Sequence, residues 1–289
     1  MRFALNHIVA PRLSLAQFFA LARKLDCSEV EIRNDLPDVT GENPAEVARL
    51  AGDAGLTILS VNALYPFNRW SDDLASRAGR LADFAAGAGA RALVLCPLND
   101  GSPIAHSRTV EALDRLREIL QPRGLTGLVE PLGFPQSSLR RKADAIAAIT
   151  EAGGFEAFGL LHDTFHHHLA GETEFFPHRT GLVHISGVTD PALAADQMLD
   201  PHRVLVDGDD RLENVAQLRA LLADGYDGPV SFEPFAPEVH ALDDIDTALL
   251  ESMALVRQAV GQAQEARACR TVITLSPLAA VQLIFLAPR

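Results

Sequence analysis

Short apolar, β-branched runs alternate along the chain with longer segments whose apolar residues recur at helical spacing. The runs predict strands at residues 3–9, 29–33, 57–62, 92–96, 127–130, 159–162, 181–185 and 229–233. Helical text separates them throughout. Strands and helices in that rhythm predict an α/β fold, a closed parallel (β/α)8 or TIM barrel, in preference to an open sheet. The helix edges are legible. Asn43 offers an N-cap, Pro44 the first helical position and Glu46 a capping-box partner, while Gly55 and Gly89 are placed to end two helices. Val110, Leu113, Leu116 and Leu120 form one apolar stripe. Leu212, Val215, Leu218 and Leu222 form another, as do Ile245, Leu249, Met253 and Val256. Such stripes cover a core and carry no chemistry.

Length and composition narrow the picture. A chain of 289 residues fits one barrel of about 250 residues with an extension, so a single domain over residues 1–264 is expected. After Glu265 the text becomes a short apolar tail, and residues 265–289 read as an appendage to the barrel. Pro277 and Gln282 interrupt that tail, which falls short of the roughly 20 apolar residues of a spanning helix, so no membrane partner is expected. The net charge of −13 argues against nucleic acid, whose binding needs clustered cations. Cys27, Cys96 and Cys269 are odd in number and scattered, which predicts neither a disulfide framework nor a CxxC metal pair. The start of the chain runs straight into a strand with no secretory pattern, and a reducing cytoplasm is the expected compartment. A homo-oligomer is left open.

Candidate chemistry gathers at the ends of the last four predicted strands. They close in Val129-Glu130-Pro131, His162-Asp163-Thr164, Val183-His184-Ile185 and Phe232-Glu233-Pro234. Strand ends of such a barrel converge on one mouth, where active sites sit. A charged side chain after each buried run would be a liability alone, since burying an unpaired charge costs several kcal/mol or a large pKa shift. Placed together, Glu130, Asp163, His184 and Glu233 supply carboxylates and an imidazole suited to one divalent ion, with Mn2+, Mg2+, Co2+ and Zn2+ all open. Asn6, His7, Arg33, Asn62 and Asn99 lie near the ends of the first four strands and are candidates to contact substrate hydroxyls. His167 and His168 cannot aim at the same point as His166 and are expected behind the site or on the surface. Asp207-Gly208-Asp209-Asp210 reads as a turn before a helix, because the remaining spacing of a calcium loop is missing.

These strand ends, in this order, resemble the xylose-isomerase-like sugar isomerase/epimerase superfamily, which includes inosose isomerases, ketose 3-epimerases and endonuclease-IV-like enzymes. The likeness spans the chain to about Gln264. Longer phrases, among them Leu95-Cys96-Pro97-Leu98-Asn99-Asp100-Gly101, Glu130-Pro131-Leu132-Gly133-Phe134 and Asp163-Thr164-Phe165-His166-His167-His168, resemble a bacterial subgroup associated with myo-inositol catabolism. The resemblance implies that Glu130 and Glu233 flank the substrate, each binding metal and each exchanging a proton with carbon. It implies that Asp163 and His184 complete the metal shell and that His166 contacts substrate. Ketose 3-epimerases carry an Arg soon after the seventh-strand His, whereas here the chain reads Ser186-Gly187-Val188-Thr189-Asp190. Arg203 is the candidate to take that place, and the departure leans towards a cyclic, inosose-type substrate.

The implied enzyme is a metal-dependent isomerase or epimerase of a small polyol ketone or sugar, working by enediolate proton transfer. A C–H beside a carbonyl is too weak an acid for a carboxylate unless the forming enediolate is stabilised. Two alternatives stand beside it: an inosose-type dehydratase, which expels a β-hydroxyl as water, and a catalytically silent sugar-binding barrel. An endonuclease-type hydrolase fits poorly, since Asn62 and Cys96-Pro97 stand where further metal ligands would be needed.

Overall fold

The computed structural model describes residues 1–275 apart from 37, 38 and 40, with side chains described as far as Gln262. Eight parallel strands close into a barrel, each paired with its neighbours in sequence and the last with the first. They are β1 (Arg2–Asn6), β2 (Glu29–Arg33), β3 (Thr57–Leu64), β4 (Ala92–Leu95), β5 (Thr126–Val129), β6 (Phe158–Asp163), β7 (Thr180–Ile185) and β8 (Pro229–Phe232). Outside them lie α1 (Leu15–Lys24), α2 (Pro44–Asp53), α3 (Asp72–Gly87), α4 (His106–Leu120), α5 (Lys142–Glu151), α6 (Thr164–Ala170), α7 (Asn214–Ala223), α8 (Pro237–His240) and α9 (Ile245–Leu275). The expected TIM barrel is therefore the fold.

Local expectations fared unevenly. The first strand stops at Asn6 rather than running to Val9, because the Asn6 side chain accepts the Ile8 N–H and starts a 3-10 turn over His7–Val9. Asn43 does cap α2 through the Ala45 N–H, but Glu46 pairs with Arg49 instead of closing a capping box. Gly55 and Gly89 follow α2 and α3 with positive φ, as required to stop a helix in the left-handed region. The turn at Asp207–Asp210 is a helix entry, with Asp210 accepting from the Leu212 and Asn214 N–H groups. α9 continues past Glu265 to Leu275, and residues 276–289 of the expected appendage lie outside the described residues. No described helix is long and apolar enough to cross a membrane.

Three clusters make up the core among the described residues: one of Leu132, Phe134, Phe165, Leu169, Val188, Met198 and Leu212 in the segments that follow β5, β6 and β7, and two that build the barrel itself. The larger lies between strands and helices and takes in the stripe Val110, Leu113, Leu116 and Leu120 of α4 together with Leu249, Met253 and Val256 of α9. Burying each large side chain contributes about 1.5–3 kcal/mol. A smaller plug inside the barrel, built from Ala4, Leu59, Val94, Leu128, Leu161 and Leu182, closes its lower half. Above that plug the inward residues turn polar. The pairing register sets Asn6 beside Glu31 and Glu31 beside Ser60, and on the other side Asp163 beside His184 and His184 beside Ser231. Between β2 and β3 the register skips a residue, from Val30↔Ile58 to Glu31↔Ser60. That irregularity lets Leu59 join the plug while Ser60 serves the polar layer.

Candidate metal centre and active site

Four side chains expected at one rim do meet. Glu130, Asp163, His184 and Glu233 are all buried, and a ligand atom of each lies within 4.8 Å of the others. Each is delivered by the end of its strand. The backbone N–H of Glu130 still bonds to Leu95 and that of Glu233 to Ile185, which carries the barrel pairing one residue past β5 and β8. Asp163 has a double task. Its Oδ1 caps α6 by accepting the Phe165 and His166 N–H groups at 2.7 and 3.2 Å, so only Oδ2 is left for the centre.

His184 stands in the middle. Its Nε2 lies 2.9 and 3.0 Å from the two oxygens of Glu31. Its Nδ1 is buried without a hydrogen bond of good geometry, 3.0 Å from Glu233 Oε2 and 3.7 Å from Glu130 Oε1. An imidazole nitrogen without a proper partner, ringed by carboxylate oxygens, fits a divalent cation: the proton it would otherwise need is the one a metal replaces. Burial opposes charging of this imidazole, yet Glu233 and Glu31 outweigh it and push its pKa well above the ordinary value. Burial likewise opposes ionisation of Glu233, but His184, Arg203 and Arg33 hold its pKa down at about 2. Asp163 is lowered in the same way, burial being overcome chiefly by Arg203.

The candidate substrate residues divide. Arg203, fully buried in the loop after β7, reaches the centre as expected but acts on its carboxylates. Its Nη2 donates to Asp163 Oδ2 at 2.6 Å and Glu233 Oε2 at 3.1 Å, its Nε to Ser186 Oγ at 2.9 Å and its Nη1 to Asp200 Oδ1 at 3.3 Å. The guanidinium also lies over the Phe165 and Phe235 rings, 4.9 and 4.7 Å from their centroids. Arg33 donates twice to Asp35, at 2.8 and 2.7 Å, and once to Glu233 Oε1 at 3.0 Å. Asn6 donates to the same Oε1 at 3.1 Å. Asn62 turns to Glu31 and Ser60, both at 2.9 Å, beneath the centre. Asn99 makes no side-chain hydrogen bond among the described residues, and its backbone N–H donates to the Tyr65 hydroxyl.

His166 is buried edge-on to Phe134 and Phe165 with Nδ1 unpartnered, beside the helix cap that Asp163 provides. His7 does not face the mouth as a free donor. It stacks on Phe18 at 4.4 Å and bonds to the Leu13 carbonyl, while burial lowers its pKa. His167, expected behind the site or on the surface, is buried against Lys142 and His162.

Two residues escaped sequence reasoning. Glu31 is wholly buried, accepts from Ser60 Oγ at 2.6 Å and Asn62 at 2.9 Å, and backs His184. Its signal was present: in Glu29-Val30-Glu31-Ile32-Arg33 the apolar residues share one face, which leaves three charged residues on the other. Cys96 follows β4 and donates its thiol to Glu130 Oε2 at 3.2 Å. Burial and the neighbouring Glu130 raise its pKa, so it stays a thiol and a donor.

A closed parallel barrel with carboxylates and a histidine clustered at the carboxyl ends of its last four strands defines a class of TIM-barrel proteins with a candidate metal centre. Within that class the chain belongs to the xylose isomerase-like TIM barrel family, whose sequence profile matches residues 19–259. A xylose isomerase domain-containing protein from Salmonella typhimurium LT2 is 39% identical, with 88% of this chain and 97% of that one covered and a TM-score of 0.84. The IOLI protein, solved with a bound zinc atom, shares the fold at 22% identity, covering 91% and 99% of the two chains with a TM-score of 0.79. D-psicose 3-epimerase from Clostridium cellulolyticum H10, solved with D-tagatose, shares it at 14% identity, covering 90% and 99% with a TM-score of 0.71. A comparison with curated proteins returned no match.

Proposed function

We propose that the protein is a divalent-metal-dependent isomerase or epimerase of a small polyhydroxy ketone, of the inosose or ketose type. The observation that carries this reading is the convergence of Glu130, Asp163, His184 and Glu233, all buried, around an imidazole nitrogen that lacks a proper hydrogen-bond partner. These residues would hold one ion, and Mn2+, Mg2+, Co2+ and Zn2+ all suit the donor set. Bound there, the ion would draw charge from the carbonyl and hydroxyl oxygens of the substrate and so acidify the neighbouring C–H bond. Glu130, whose Oε2 meets only the Cys96 thiol among the described residues, accepts the proton. Glu233 flanks the centre from the other side, held by Asn6, Arg33 and Arg203. His166 offers an unpartnered ring nitrogen to a hydroxyl. Arg203 holds the metal-binding carboxylates rather than the substrate, which removes the direct counterpart of the epimerase arginine and favours the cyclic, inosose-type substrate.

Fold relatives support the reading by their own ligands: zinc in the IOLI protein, and D-allulose in a D-allulose 3-epimerase from Methylomonas sp.. A place in myo-inositol catabolism and a reducing, cytoplasmic setting belong to the same proposal, with the free thiols Cys27 and Cys96 in keeping with the latter. The test is to load the metal-free protein with each ion and incubate it with a panel of inososes and ketoses in D2O. Deuterium should enter the carbon beside the carbonyl only in metal-loaded samples. A product lighter by one water would assign a dehydratase instead. Bound metal with no exchange on any polyol ketone would leave a sugar-binding barrel.

A further inference from the structure

A cavity of about 330 Å³ lies on the helix side of the barrel wall, between the carboxyl ends of β2 and β3 and the face of α3. That volume is at the lower end of the range for small-molecule pockets. Leu64, Leu81 and Phe84, all buried members of the core between strands and helices, form its apolar lining. Asn34 and two arginines of α3, Arg77 and Arg80, supply the polar part. Arg33, one residue before Asn34, turns to Glu233 instead, so the cavity and the candidate metal centre lie on the two sides of one wall.

Both arginines are exposed, and neither holds a carboxylate among the described residues. Elsewhere the helices answer an arginine with an acid one turn away: Arg49 pairs with Glu46 and Asp53, Arg115 with Glu111, and Arg117 with Asp114. Here Asp83, three residues after Arg80, is turned to Arg123. Like charges one turn apart on a helix repel each other. Arg77 Nη2 donates to the Tyr65 carbonyl at 2.9 Å, which ties its guanidinium to the end of β3. Asn34 is oriented by two bonds, its N–H to the Asn62 carbonyl at 2.8 Å and its Nδ2 to the Ala63 carbonyl at 3.2 Å. Its Oδ1 is thereby left over, buried and without a donor among the described residues. A buried amide oxygen calls for a donor.

We propose that this cavity is an accessory binding site for a small organic anion, a carboxylate or phosphate on an apolar, hydroxyl-bearing body. Two adjacent guanidiniums present forked N–H donors that match either anion. In a chain with 38 acidic and 25 basic side chains, an anion is attracted only where cations gather apart from carboxylates. The apolar lining takes the body of the ligand, and Asn34 Oδ1 accepts from its hydroxyl. The site stands apart from the proposed isomerase or epimerase chemistry, and its occupancy is read without catalysis.

The probes are 4-hydroxybenzoate, phenyl phosphate, the uncharged 4-hydroxybenzyl alcohol and inorganic phosphate, each titrated into the full-length protein by calorimetry. At least one of the two organic anions should bind with a Kd of about 1 mM or tighter. The better of the two tells a carboxylate-bearing occupant from a phosphate-bearing one. It should also slow modification of Arg77 and Arg80 by phenylglyoxal, mapped by mass spectrometry of peptides. Arg77→Met combined with Arg80→Met should weaken binding at least about tenfold, the equivalent of one charge-assisted hydrogen bond. Arg80→Met alone, which breaks no hydrogen bond or ion pair among the described residues, should weaken it in the same direction and guards against a folding defect in the double variant. Arg23→Met, which removes another exposed arginine, on α1, should change nothing. No saturable binding of either organic anion overturns the proposal, as does equal binding of the alcohol or of inorganic phosphate. Binding that survives both substitutions overturns it too, since the anion would then sit elsewhere.

Discussion

Glu31→Gln perturbs the node beneath the centre and leaves all four candidate ligands in place. In the unsubstituted protein the Glu31 carboxylate spans His184 Nε2 at 2.9 and 3.0 Å, and its Oε2 also accepts from Ser60 at 2.6 Å and Asn62 at 2.9 Å. Every one of those partners donates or can donate. A carboxylate satisfies them all; an amide has one acceptor oxygen and presents an NH2 group to a donor. The charge-assisted bond to His184 becomes a neutral one of roughly half the strength. Carboxylates behind metal-bound histidines are typically worth 10–100-fold in metal affinity, which converts to about 1.4–2.8 kcal/mol. One donor left buried and unpaired adds a loss of about 1–3 kcal/mol in stability. Calorimetric titration of metal-free protein with Zn2+ or Mn2+, at constant pH, reads the first quantity, and urea unfolding reads the second. Long-range 1H–15N correlation of the histidine rings adds a check, since Glu31 holds the proton of His184 on Nε2. A folded Glu31→Gln protein with unchanged metal affinity and the same His184 tautomer would refute the reasoning.

Other outcomes follow from the same contacts. Burial opposes ionisation of Glu31 and Glu233, but His184 leads the effects that outweigh it, and both lie at about 2 against an ordinary 4.5. The unfolded chain therefore binds their protons first on acidification, so their contribution is complete above about pH 4.5 and is lost between there and about pH 2. Urea midpoints of metal-free protein should accordingly fall across that window, and Glu233→Gln should flatten the fall. Gly133→Ala should destabilise the fold by about 1–3 kcal/mol or more, since a methyl there drives into the His166 carbonyl oxygen and the Leu169 Cβ; thermal melting checks this, and an unchanged midpoint would contradict the close approach. A chain ending at Gln264 should keep metal binding and deuterium exchange, as measured side by side with the full chain; loss of either would assign the appendage a part in the barrel's function.

The barrel was readable because its cause is local. Alternation of β-branched runs with helical stripes needs only the period of hydrophobic burial, and the chain states that period in every segment. The polar cluster at the strand ends was readable for a related reason. A charge at the end of a buried run is costly unless something pays for it, and four successive strands bear such a residue at Glu130, Asp163, His184 and Glu233. What each partner does was not readable. Arg203, 40 residues after Asp163, and Arg33, 200 residues before Glu233, become neighbours of those carboxylates only when the barrel closes. Closure also decided that Glu31 lies behind His184, 153 residues apart, and that a skipped register in β3 brings Ser60 to its support. Hydrophobic periodicity is written residue by residue, so the chain alone set the architecture and the candidate ligands. The hydrogen bonds that Asn6, Arg33 and Arg203 make to these carboxylates join segments distant in sequence, and only the tertiary structure could allot them.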